Sequence, residues 1–192
     1  MSALAAARRR SAWLVLVSLA LLLAMRESIP NYDGMTGPIV ERGVLGEWKL
    51  ARRVAARADA VVTAREIRTE KTGVPESLSQ HDTSGVWLVV DATAKAVDEP
   101  VSIGKAQILT RDGRRYARTE RLGSTRQLSS AELQPGIESR GVLVFELPAD
   151  QVAGAQLVLA DSPIAILDSE LRLDLRLAAA PAPREFYDLV RR

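Results

Sequence analysis

His81 is the only histidine in the chain, and it stands in Ser79-Gln80-His81-Asp82-Thr83-Ser84, where a hydroxyl, a base and a carboxylate are neighbours. A Ser/His/Asp constellation works only when separate rigid elements hold the three side chains. Neighbours in one polar loop do not meet that condition. One histidine without cysteine also excludes the usual zinc ligand sets. Asp161, Asp168, Glu170 and Asp174 are the better candidates, because paired carboxylates can act as acid and base or hold calcium. Arg172 and Arg176 are interleaved with them, however, and the alternation puts Glu170 and Asp174 on a solvated strand face, where exposed ion pairing is expected. The most one-sided charge is Arg111, Arg114, Arg115, Arg118, Arg121 and Arg126, opposed only by Asp112 and Glu120. Such a basic hairpin suits anionic headgroups or an acidic partner, and it also guards a strand edge against aggregation. There is no phosphate loop, dinucleotide fingerprint or HExxH pattern. The sequence therefore predicts no catalytic residue, no cofactor and no metal. Its candidate interaction surface is Arg111, Arg114, Arg115, Arg118 and Arg121, with Phe186 and Tyr187 in the basic tail Arg184–Arg192.

Composition bounds what can position these groups. A chain of 192 residues suits one domain plus an anchor. Hydrophobic residues make up 47% and aromatics only 4%, so the core must be aliphatic. The near balance of 26 cations and 24 anions argues against nucleic acid, which requires a one-sided field. Without cysteine there are no disulfides, thiolate sites or lipid-modified cysteine, and an exported domain must rest on its core alone.

At the front, Ala12–Met25 is an uncharged run preceded by Arg8, Arg9 and Arg10. Fourteen residues cover about 21 Å as a helix, against about 30 Å of hydrocarbon. That length suits a signal peptide. The exit Leu23-Ala24-Met25-Arg26-Glu27 lacks a small-x-small cleavage site, and flanking arginines can snorkel to extend the span. We therefore expect a retained membrane anchor built on Trp13, Leu14, Leu16, Leu19, Leu21, Leu22 and Leu23. The positive-inside rule leaves the N-terminus cytoplasmic and exports the rest, giving a single-pass plasma-membrane protein.

The remainder reads as short strands between turns. Residues 28–45, with Pro30, Gly34, Gly37 and Pro38, are expected to be a linker. Val54, Ala56, Ala58, Ala60 and Val62 alternate with polar residues, which predicts a half-buried strand. Thr72–Ser84 is polar and reads as a loop. Gly85–Ala94 is apolar on both parities, as in a central strand covered on both faces, and Val101–Thr110 reads as the next strand. Asp112-Gly113 predicts a tight hairpin, and Leu133-Gln134-Pro135-Gly136 a second turn. Gly141–Leu147 and Gln156–Leu159 are further strands. Leu171, Leu173, Leu175 and Leu177 alternate with Glu170, Arg172, Asp174 and Arg176. Trp48 and Trp87 are expected as core anchors. The sum is an all-β, immunoglobulin-like antiparallel β-sandwich with an N-terminal transmembrane helix. Its divisions are 1–27 stub and anchor, 28–45 linker, 46–178 sandwich and 179–192 tail.

Four segments carry a family resemblance. They are Val86-Trp87-Leu88-Val89-Val90-Asp91, Glu99-Pro100-Val101-Ser102, Asp112-Gly113-Arg114-Arg115-Tyr116, and Leu133-Gln134-Pro135-Gly136 with Arg140–Pro148. In order and spacing they resemble a bacterial family of extracytoplasmic immunoglobulin-like domains of unknown function, sometimes labelled telomeric repeat-binding-factor-like. The chain departs from that pattern at Ala94–Asp98, where relatives have an Asn-rich turn, and in lacking a lipoprotein cysteine. The resemblance implies an anchored binding or accessory module and supplies no catalytic residue. The expected function is thus a non-catalytic interaction module. It would be bound to membrane lipid through its N-terminal helix and to a protein partner in a membrane or envelope complex. A carrier or sensor of an apolar ligand is the alternative, with room left by Ala92, Ala94 and Ala106, and an envelope hydrolase is the weakest reading.

Overall fold

The computed structural model describes residues 2–28, 37–70, 78–122, 127–163 and 168–189, and the helix side chains from 13 to 27. They fall into two units, Met1–Gly37 and Pro38–Arg192. The first holds α1 (Ser2–Ser28), a single helix in which every described side chain is exposed. Leu14, Leu16, Leu19 and Leu22 are among the exposed leucines. Among the described residues, no helix is long and apolar enough to cross a membrane.

In the second unit, alternating apolar residues set the strands. These are β1 (Ile39–Val44), β2 (Lys49–Leu50), β3 (Val54–Glu70), β4 (Leu78–Ala96), β5 (Val101–Ser102), β6 (Lys105–Leu109), β7 (Arg115–Ala117), β8 (Glu132–Leu133), β9 (Ser139–Leu147), β10 (Gln156–Ala160), β11 (Ser169–Asp174) and β12 (Arg184–Asp188). Sheet A runs β1-β11-β10-β6-β7 and sheet B runs β12-β3-β4-β9, with β2 added to β3 and a small β5-β8 ribbon. Leu171, Leu173, Leu175 and Leu177 all enter the layer between the sheets, where they meet Leu88 and Val90 of β4 and Phe145 of β9. Each such burial contributes about 1.5–3 kcal/mol. The all-β sandwich expected from the alternation is the observed fold.

The both-parity pattern of Gly85–Ala94 has the predicted cause. Val86, Leu88 and Val90 face the interior. Trp87 and Val89 face the other way and join Ala64, Ile67, Val144, Leu122 and Tyr187 in a second apolar layer on the far side of sheet B. Irregularities between Ala58/Ala60 and Ala64/Glu66 shift the β3–β4 register. An extra residue at a bulge reverses which side chains face in, which is how Ala64, of the same parity as the interior Ala56 and Ala58, reaches the outer layer. At Gly85 the chain passes so close to β9 that an added Cβ would lie 2.3 Å from the Leu147 carbonyl oxygen. We expect Gly85→Ala to cost about 1–3 kcal/mol through a forced backbone shift, read as a lowered urea midpoint. The Asp112-Gly113 turn also forms as expected. Gly113 has φ 85°, Thr110 N donates to the Arg114 carbonyl at 2.9 Å, and the Thr110 hydroxyl bonds Asp112.

Several expectations need correcting. Residues 39–44 of the expected linker form β1, which pairs with β11, Ile39 opposite Ser169. Residues 78–84 of the expected loop extend β4 and pair with β3, His81 opposite Ile67. Five residues of the expected tail form β12 on β3, Tyr187 opposite Ile67. Both added edge strands run parallel to their neighbours, so the sandwich is mixed rather than wholly antiparallel. The predicted strand Val101–Thr110 is two strands, separated at Ile103-Gly104. Trp87 is a core anchor, with Nε1 donating to the His81 carbonyl at 2.9 Å. Trp48 is not. It is half-buried, with Arg57 and Lys95 at 5.2 and 4.9 Å from its ring centre. Residues 29–36 of the expected linker, 72–77 of the expected loop, Arg126 and the last three residues lie outside the described residues.

Candidate functional site on the outer face of sheet A

Leu171 and Leu173 turn inward from β11, so Glu170 and Arg172 turn outward. Glu170 is nevertheless only 1% exposed, which corrects its expected place on a solvated face. Three cations from three strands cover it. Arg172 Nε donates to Oε1 at 2.7 Å. Arg115 donates from Nη1 to Oε2 at 3.3 Å and from Nη2 to Oε1 at 3.4 Å. Lys105 Nζ donates to Oε2 at 3.4 Å. The register explains the convergence, since Arg172 lies opposite Val158 of β10, and Lys105 of β6 opposite Ala160. Val158 and Ala160 are buried yet stand outside both apolar clusters. They form a floor for the long stems of these cations, whose charged ends stay toward water. The side chains of Lys105, Arg172 and Arg115 keep 14%, 21% and 36% exposure.

Burial pushes the Glu170 carboxyl up, but bonds from Arg172 and Arg115 outweigh it and hold the group below the ordinary carboxylate range. A carboxylate held ionised has no proton to deliver near neutral pH. The arrangement is a fixed cluster of donors carrying more positive charge than its one buried anion neutralises.

The predicted arginines do not form one patch. Arg115 joins Glu170. Arg114 pairs with Asp112 at 3.0 Å beside the exposed Arg111. Arg118 is half-buried, its backbone N–H donating to the Ala106 carbonyl at 3.2 Å. Arg121 turns to sheet B, where it grips both Glu146 oxygens at 3.1 and 3.0 Å and lies 5.4 Å from the Trp87 ring centre. Phe186 is 40% exposed under the Arg68 guanidinium at 3.8 Å. Tyr187 is buried in the second apolar layer, which corrects its expectation as a surface contact.

The other candidates stay apart. Asp161 pairs with Arg53 at 3.2 Å. Asp168 and Asp174 accept backbone N–H bonds from Ser169 and Arg176 at 2.8 and 2.7 Å. His81 Nε2 shares a bond of 3.1 Å with the Thr69 hydroxyl rather than with a carboxylate. Among the described residues, no group of three or more His, Cys, Asp or Glu could hold a metal ion. Ala92, Ala94 and Ala106 pack into the interior layer. Nothing local in the sequence marks Lys105, Arg172 and Arg42 as members of one site. Arg42 lies opposite Arg172 on β1, and that juxtaposition depends on pairing strands far apart in the chain.

No protein-family model matches the chain, and no curated protein matches it. Among solved structures, it is similar to the crystal structure of the yjhA protein from Bacillus subtilis. The TM-score is 0.50 at 15% identity, over 69% of this chain and 99% of that one. What the two share is the fold. The secreted protein MPT63 from Mycobacterium tuberculosis gives a TM-score of 0.48 at 18% identity, over 71% and 97% of the two chains. An uncharacterized β-sandwich protein from Clostridium difficile 630 gives 0.45 at 10% identity, over 72% and 96%.

Proposed function

We propose that this protein is a non-catalytic interaction module, an immunoglobulin-like sandwich tethered to the outer side of a bacterial plasma membrane and contacting a protein partner in an envelope complex. The observation that carries the reading is the apolar run of α1. Trp13 to Met25 present apolar side chains on all sides, most of them 53–68% exposed, in a unit separate from the sandwich. A stripe that wide is covered by lipid or protein rather than water. The run Ala12–Met25 is short for a span. The flanking Arg8, Arg9, Arg10 and Arg26 supply snorkelling side chains that offset part of the mismatch, and the N-terminal arginines set the orientation.

The test is fractionation of the full chain in a bacterial host. We expect it to stay in the membrane pellet after alkaline carbonate washing. The sandwich should be digested by protease added to spheroplasts, and deletion of residues 1–27 should release it. A wild-type chain in the cytosolic fraction would end the reading. N-terminal sequencing separates a retained anchor from a cleaved leader. Purification from gently solubilised membranes is expected to bring a partner with it, and recovery of the chain alone at every expression level would count against the interaction role.

A further inference from the structure

The two outer faces settle their charge differently. On sheet B, Arg57, Arg68 and Arg121 each hold a carboxylate of their own, Asp59 at 2.5 Å, Glu66 at 2.6 Å and Glu146 at 3.0 Å, while Lys95 and Arg140 have none at ion-pair distance among the described residues. On sheet A, Lys105, Arg115 and Arg172 share the single buried Glu170. Arg42 lies beside Arg172 in register and, among the described residues, has no carboxylate at ion-pair distance. Asp174 is the one exposed carboxylate on the β11 part of this face. The cations are also fixed in place, because Glu170 holds three of them over the floor of Val158 and Ala160.

We infer that the outer face of sheet A docks on the anionic headgroups of a phospholipid bilayer. Arg42, Lys105, Arg115 and Arg172 are the contacts, and Glu170 is the residue that positions the last three. The inference rests on the membrane tether proposed above. Guanidinium forks match phosphate oxygens, so the chemistry fits a headgroup. A protein interface is centred on large apolar or aromatic anchors. The strongly exposed large apolar side chains of the sandwich are Ile39, Leu50, Leu78, Ile137 and Phe186. None of them is on this face: Ile39 is in register with Ser169, on the opposite parity from Glu170, and the others lie outside sheet A. β1, which brings Arg42 to the face, is also the first strand after α1 in the chain.

The test uses the full chain reconstituted in bilayer discs of phosphatidylcholine, with or without phosphatidylglycerol and a headgroup-bound quencher. The chain has no cysteine, so Gln156→Cys on sheet A and Arg140→Cys on sheet B each take one dye. With phosphatidylglycerol we expect the Gln156 dye to be quenched and the Arg140 dye not, with the effect reversed by high salt. Each cation removed near an anionic surface lowers docking roughly fivefold, so Arg42→Gln alone should do so, and together with Arg115→Gln about 25-fold. Arg42 has no carboxylate partner to lose among the described residues, which keeps the test valid if Arg115→Gln folds poorly. Equal quenching without phosphatidylglycerol, quenching at Arg140 instead, or an unchanged Arg42→Gln would overturn the inference. A chain that separates from the discs speaks against the tether. Adding that chain to vesicles of the same two compositions then judges the face by the same dye comparison.

Discussion

Replacing Glu170 with glutamine is expected to destabilise the sandwich by about 1.5–3 kcal/mol, because it removes a charged acceptor from a shared set of hydrogen bonds and leaves three neighbouring cations with no anion between them. Here the uncompensated groups are Arg172, Lys105 and Arg115, held against one another over the β10 floor. The loss is read from urea midpoints followed by circular dichroism. Its pH dependence gives a second check. Glu170 has a depressed carboxyl in the fold, so its contribution is fully present above the unfolded value near 4.5 and is lost as pH falls through the lower folded value. The gap between wild type and Glu170→Gln should therefore be wide at neutral pH and close in acid below 4.5. A gap that persists unchanged into strong acid would mean that shape, not charge, accounts for the cost.

The second large effect is expected at Trp87. It is fully buried, yet it faces away from the space between the sheets. Trp87→Ala empties the centre of the outer layer and should cost about 3–5 kcal/mol. Trp87→Phe keeps most of the volume but leaves the His81 carbonyl without its indole donor, for about 1 kcal/mol. The same pair of substitutions separates two roles. If the layer on the far side of sheet B were decorative, both variants would unfold at the wild-type midpoint.

Much of this architecture is readable from residues alone, and the reason is periodicity. Leu171 to Leu177 point one way because a strand repeats every two residues, and their interior position needs no further information. Asp112-Gly113 predicts its turn because few other residues adopt a positive φ. The failures share a different cause. Ser79, Gln80, His81 and Asp82 extend β4 beyond the interior, where exposure alternates without any apolar residue to mark it. Their strand is dictated by pairing with Ile67 and its neighbours. β1 and β12 are edge strands whose partners lie at the other end of the chain. Glu170 shows the limit most clearly. Parity correctly turns it outward, but whether an outward side chain meets water depends on what stands across the sheet. Lys105 and Arg115 are distant in sequence, and no local pattern announces them. The basic hairpin fails for the same reason, since Arg115 and Arg121 go to opposite sheets.

The pairing of the two edges bears on when this protein can fold. β1 finds its described partner only once Ser169 to Asp174 exist, and β3 gains its outer neighbour only from Arg184 to Asp188. Contacts so distant along the chain form slowly, and at a ribosome they cannot form before residues 169–174 and 184–188 have been made. Both edges therefore stay open while the strands between them are being synthesised. Under the export proposed above, in which the chain is threaded unfolded through a membrane pore, that delay is an advantage. A version permuted to place β11 directly beside β1 is expected to mature sooner and to be exported less well.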